Sequence, residues 1–198
     1  MHDDSAPAMT SDPAFLTGRM LIAMPAIGDP RFERALVFVC AHTAEHAMGL
    51  TMNHPVEGLT VPSLLSRLDV KSEIALPEEL VLLGGPVESE RGFVLHTDDY
   101  VCPNSSVPVG DGLSLTATRD VLEAMSSQDR RPRHAVLALG YAGWGPGQLE
   151  HEIRENVWLV CEPDEELLFG EDHARKWARA LAKLGVSLDH LSGEAGRA

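Results

Sequence analysis

The sequence predicts an α+β protein folded as one domain, on three observations. Its apolar segments are mostly short and rich in β-branched residues, and they cluster in runs with no regular alternation of strand and helix. The clearest helical periodicity lies near the C-terminus. No linker-like stretch divides the 198 residues, a length that can bury a real core in one domain.

Residues 1–14 are rich in Asp, Ser, Ala and Pro and read as a mobile leader to a domain spanning 15–190. Leu16 to Met24 is apolar and ends at Pro25, ahead of the turn Gly28-Asp29-Pro30. Ala35 to Ala41 and Ala47 to Asn53, separated by the polar stretch His42 to His46, predict a β-hairpin. Thr60 is placed to cap a short helix with Pro62 in its first turn and Leu64, Leu65 and Leu68 on one face. Leu80 to Leu83 and Gly92 to His96 read as strands around Gly84-Gly85-Pro86. Asn104 to Gly112, rich in Ser, Pro and Gly, reads as loop. A strand over Leu113 to Thr116 and a helix over Arg119 to Ser126 follow. Ala135 to Tyr141 and Val157 to Cys161 read as strands flanking a glycine-rich loop, Gly140 to Gly147, and a short helix over Gln148 to Glu155. The last helix spans roughly Asp172 to Leu184, with Ala174, Trp177, Ala178, Leu181 and Leu184 on one face and Gly185 to stop it. Residues 191–198 read as a frayed tail.

Composition excludes several functions. The 16 basic and 30 acidic side chains leave a formal charge of −14, which opposes a nucleic-acid face. No apolar run approaches the ~20 residues of a membrane helix, and the acidic start Met1 to Ser5, followed by no apolar stretch, is not expected to be a secretory signal. Three cysteines are too few for a disulfide scaffold. A cytoplasmic protein without membrane or direct nucleic-acid contact is the simplest expectation.

Two constellations invite chemistry. Cys40, His42, His46 and His54 are zinc-compatible donors, and on a regular strand Cys40 and His42 share a face. Their spacing fits no standard zinc motif, so hydrogen-bonded histidines at a hairpin end are preferred, and neither metal nor cofactor is expected. Gly140-Tyr-Ala-Gly-Trp-Gly-Pro-Gly147, between a strand and a helix, has the outline of a dinucleotide loop. Tyr141 and Trp144 put bulk where phosphate would approach, which favours a tight loop anchored by its aromatics. No nucleophile elbow is present.

Four stretches together resemble the YqgE/AlgH family of bacterial proteins. They are Gly18 to Pro25 with Asp29 and Phe32; His42 with Ala47 to Asn53 and Pro55; Gly84 to Val87 with Gly92 to His96; and Gly140 to Trp144 with Gly147 to Glu150, Glu152, Asn156 and Trp158. His46 stands where a family glycine is expected. The resemblance implies a bent, bifurcated, mostly antiparallel sheet curled into a pseudo-barrel with helices outside. It also carries an association with transcriptional regulation of alginate synthesis. The expected function is therefore that of a non-catalytic accessory or regulatory protein, acting on transcription indirectly through an unknown protein or small-molecule partner. The alternative is an enzyme or binder of a nucleotide-like molecule at Gly140 to Gln148. The motif turns at Pro25, Asn53, Gly84 and Gly140 are expected to meet at one end of the sheet. Candidate binding residues there are His42, Asn53, His96, Tyr141, Trp144, Gln148 and Glu152.

Overall fold

Strands buried on both faces explain why the N-terminal segments lack strict alternation. In β1 (Met20–Ala23) and β2 (Leu36–His42), Met20, Ile22, Leu36 and Phe38 enter one core while Leu21, Ala23, Val37 and Val39 enter a second. The structure, a computed structural model, describes residues 15–187 and Leu191. The leader expected over 1–14, and the tail expected over 191–198 beyond Leu191, lie outside the described residues.

Strand β3 (Ala47–Thr51) forms the expected hairpin with β2. Beyond it come β4 (Pro55–Thr60), helix α1 (Val61–Arg67) and β5 (Leu80–Leu83). The long β6 (Val87–Thr97) is followed by the hairpin of β7 (Ser106–Gly110) and β8 (Leu113–Thr116), then by α2 (Arg119–Met125). Strand β9 (Ala135–Trp144), α3 (Gln148–Arg154), β10 (Trp158–Cys161), α4 (Glu165–Phe169) and α5 (His173–Lys183) complete the chain.

Eight strands follow the order β10-β1-β2-β3-β9-β6-β8-β7, all antiparallel, and β4 with β5 forms a side arm. The fork lies on β9. One edge of β9 pairs with β6; its other edge takes β5 in parallel at Ala138 and Leu139, then β3 at Ala142 to Trp144. Between those partners Gly140 has φ +72°, and a Cβ on Gly85 would lie 2.1 Å from the Tyr141 carbonyl carbon. The sheet then curls until β7 returns to its beginning: Gly110 packs against Gly18, where an added Cβ would meet the opposite backbone at 3.3 Å. Helices α4 and α5 bury Leu167, Leu168, Trp177 and Leu181 in the core of this half-barrel, α3 covers the second core, and α1 and α2 enclose a third.

Sequence and structure differ at the edges. Strand β7 occupies the predicted loop, its Pro108 tolerated because the strand lies at the end of the sheet. Strand β9 continues through Tyr141 to Trp144, into the glycine-rich segment. Helix α1 carries the expected Thr60 cap, with Ser63 completing a reciprocal capping box.

One charge is sealed inside. Lys176 is wholly buried, and its Nζ donates to the Met52 carbonyl at 3.0 Å and the Leu168 carbonyl at 3.5 Å. It ties both helices of the C-terminal pair to the end of β3. Burial pushes its ammonium down to about 8 from the ordinary 10.5. Between those values the unfolded chain holds the extra proton, so this lysine's burial cost is relieved as pH rises. Chemical unfolding should show wild type gaining about 2–3 kcal/mol relative to Lys176→Met between pH 8 and 10.5. A constant difference across that range would contradict the assignment.

Candidate functional site

A β-bulge decides the first candidate. Val39 pairs with Gly49 and Ala41 with Met48, which leaves Cys40 as the extra residue. Cys40 therefore stays in the half-barrel core, whereas His42 pairs with Ala47 on the opposite face. The two were expected to share a face, and the bulge reverses this. Burial pushes the Cys40 thiol up to about 12, so it carries no thiolate at neutral pH. His46 contacts Thr43 and His54 contacts the Glu33 carbonyl. Among the described residues no group of three or more metal-ligating side chains is assembled.

His42 is buried at the hairpin end. Its Nδ1 accepts the Leu16 amide at 3.1 Å, so Nε2 carries the proton toward Glu150 Oε1 at 3.0 Å. Glu150's own amide, supported by the His42 hydrogen bond, holds its carboxyl below the usual range against the opposing effect of burial.

The register row His42–Ala47–Trp144 runs across β2, β3 and β9 beneath α3. There Glu152 accepts three hydrogen bonds: Trp144 Nε1 at 2.9 Å, Trp158 Nε1 at 2.7 Å and Gln148 Nε2 at 2.9 Å. The two indoles meet edge to face with centroids 5.8 Å apart. Gln148 Oε1 takes the Gly145 amide at 3.0 Å. That amide is where the nucleotide alternative needed a free donor for phosphate. Helix α3 has only seven residues, and Glu150 in its first turn places a negative charge at its N-terminus.

The remaining candidates lie elsewhere. Asn53 sits past the other end of β3, where its Oδ1 accepts the Leu36 amide and its Nδ2 donates to the Arg34 carbonyl, both at 2.8 Å. His96 is fully buried opposite Ala135, at the start of β9. Its Nδ1 donates to the Thr97 carbonyl at 2.9 Å, so Nε2 accepts from the Thr116 hydroxyl at 2.8 Å. Burial lowers its affinity for a proton, which keeps that ordering neutral. Tyr141 falls on the opposite face of β9 from Trp144 and meets Phe93 edge-on. Two of the four motif turns run together, at residues 51–54 and 83–84: the Thr51 amide donates to the Gly84 carbonyl and the Leu83 amide to the His54 carbonyl. Gly140 joins them from inside β9. The seven side chains nonetheless form no common surface: His42, Trp144, Gln148 and Glu152 gather under α3, and Asn53, His96 and Tyr141 do not reach them.

An open cleft that sequence reasoning did not find lies between the connection following β1 and helix α5. It has a volume of about 490 Å³ and is lined by Met24, Pro25, Ile27, Arg34, Trp177 and Leu191, with Asp29 and Glu33 also on its wall. Trp177 Nε1 donates to the Ala23 carbonyl at 2.8 Å, and the Arg34 guanidinium lies over the indole ring, 5.4 Å from its centroid. Pro25 and Asp29 belonged to a motif, but nothing local pairs Arg34 with a tryptophan 143 residues later.

Forked sheet, curled half-barrel and internally bonded motif residues define a single-domain α+β protein whose glycine loop is tied to the helix that follows it. Residues 20–189 match the family described as AlgH-like, and the chain belongs to that family. A UPF0301 protein of Caulobacter vibrioides (strain NA1000 / CB15N) is 66% identical over 187 residues, covering 94% of this chain and 96% of that one. A UPF0301 protein of Bradyrhizobium diazoefficiens is 50% identical, covering 98% and 94%. The solution structure of the AlgH protein from Pseudomonas aeruginosa has a TM-score of 0.73 at 36% identity, covering 96% of this chain and all of that one (100%). A Corynebacterium diphtheriae crystal structure at 17% identity shares the fold, with a TM-score of 0.69 and 87% and 88% coverage.

Asn53 and Gln148 separate buried from exposed anchoring. Asn53→Ala strands a buried amide and a carbonyl and should cost about 2–4 kcal/mol in urea unfolding. Gln148→Ala exposes its partners to water and should cost about 1 kcal/mol or less. Equal losses would show that the Gly145 turn is as critical as the β2 entry.

Proposed function

We propose that this is a non-catalytic accessory or regulatory protein of the cytoplasm that acts by binding a small ligand or a partner, and that any effect on transcription is indirect. The observation that carries this reading is the cleft beside Trp177, which lies within the ~300–1,000 Å³ typical of ligand sites and has mixed apolar and charged walls. The internal bonding of Trp144, Gln148 and Glu152 supports it from the other side, since the Gly145 amide is already held by Gln148. No helix among the described residues is long and apolar enough to cross a membrane, which agrees with a role away from the bilayer.

Direct control of DNA is not part of the proposal. A net charge of −14 gives little counterion release and repels phosphate. Titration against promoter duplexes at physiological salt should give only weak binding without sequence preference; selective nanomolar binding would overturn the indirect route. Native mass spectrometry of the purified full chain should find a retained small molecule or partner that denaturation releases. Bare chain alone, from several growth conditions, would count against the binding role.

A further inference from the structure

Arg34 is the sole cation among the described residues that line the Trp177 cleft. No carboxylate lies within ion-pair distance of it among those residues; the nearby Asp29 is engaged by Arg31 at 2.7 Å. The backbone of Arg34 is held at φ +50°, a left-handed conformation uncommon for residues other than glycine. Asn53 holds the carbonyl of that residue, and Trp177 supports its guanidinium. The anchored carbonyl and the aromatic shelf thus place beside Met24, Pro25, Ile27 and Leu191 a cation that has no ion-pair partner among the described residues.

Arginine presents paired N–H donors that match a carboxylate. The apolar wall suits an alkyl or aryl body, and Asp29 and Glu33 on the same wall oppose a second negative charge. We infer that the cleft binds an apolar monocarboxylate, its carboxylate on the Arg34 guanidinium and its body against Met24, Pro25, Ile27 and Leu191. This assignment rests on the ligand-binding role proposed above and names the chemistry of its site.

Calorimetric titration of the full chain with sodium octanoate tests it, with octan-1-ol, octylamine and the dicarboxylate azelate as comparisons. Octanoate should bind saturably and shift the Trp177 indole N–H resonance. Octanol and azelate should bind at least about tenfold more weakly, and octylamine should not bind, as expected for one charge-assisted hydrogen-bonded pair. Arg34→Gln should weaken octanoate about tenfold and leave octanol unchanged, while Arg34→Lys should recover part of the loss. Octanol matching octanoate in unaltered protein, an indifferent Arg34→Gln variant, or heat without a Trp177 shift would each overturn the assignment. Silence toward octanoate in protein that still retains another molecule in native spectra would remove the carboxylate chemistry and leave the binding role standing.

Discussion

The crossing of backbones at Gly84, Gly85 and Gly140 governs the architecture. A regular strand keeps one neighbour along each edge, but β9 changes partner on one edge from β5 to β3 within a few residues. That exchange requires β5 to leave and β3 to arrive where Gly84 already bonds Thr51 on one side and Leu139 on the other. Any side chain there would occupy backbone space: a Cβ on Gly84 falls 2.3 Å from the Gly140 oxygen, and one on Gly140 falls 2.4 Å from the Gly85 oxygen. With the fork fixed, β1 to β3 curl one way, the β4–β5 arm departs another, and separate cores form on the two sides.

Local chemistry revealed those parts of the fold whose reasons are local. The Thr60 cap, the periodicity from Trp177 to Leu181 and the β2–β3 hairpin each rest on residues within one turn or one loop. Strand β4 gave no such signal because it is half-exposed and carries Gly58, and it is a strand only through pairing with β5. Strand β7 likewise owes its conformation to β8, since Ser106 and Pro108 alone read as loop. The bulge at Cys40 was invisible for the same reason: it depends on counting residues against a partner. A long-range accounting of this kind also separates His96 from the other candidates, because its partners Thr97 and Thr116 close a network inside the barrel wall.

Glycine and aromatic motifs that look like recognition elements serve here to make a carboxylate into a structural hub. Glu152 gathers two indoles and an amide, so removing any one donor leaves the others to hold the helix. A protein that spends its motif residues in this way leaves recognition to surfaces assembled from distant segments. The Trp177 cleft, proposed above as the binding site, draws its walls from the β1–β2 connection and the C-terminal helix. Its chemistry is consequently independent of the glycine loop, and the two can vary separately.

The bonds from α5 have a consequence during synthesis. Trp177 reaches back 154 residues to Ala23, and Lys176 reaches back 124 residues to Met52. At about 5–20 residues per second, the first strands leave the ribosome many seconds before the helix that covers them exists. Through that interval the apolar faces of β1 and β2 have no permanent cover, and the carbonyls of Ala23 and Met52 remain hydrated. A chain cut short before α5 would therefore lack both of these bonds and the apolar face that Trp177 and Leu181 lay over the barrel interior.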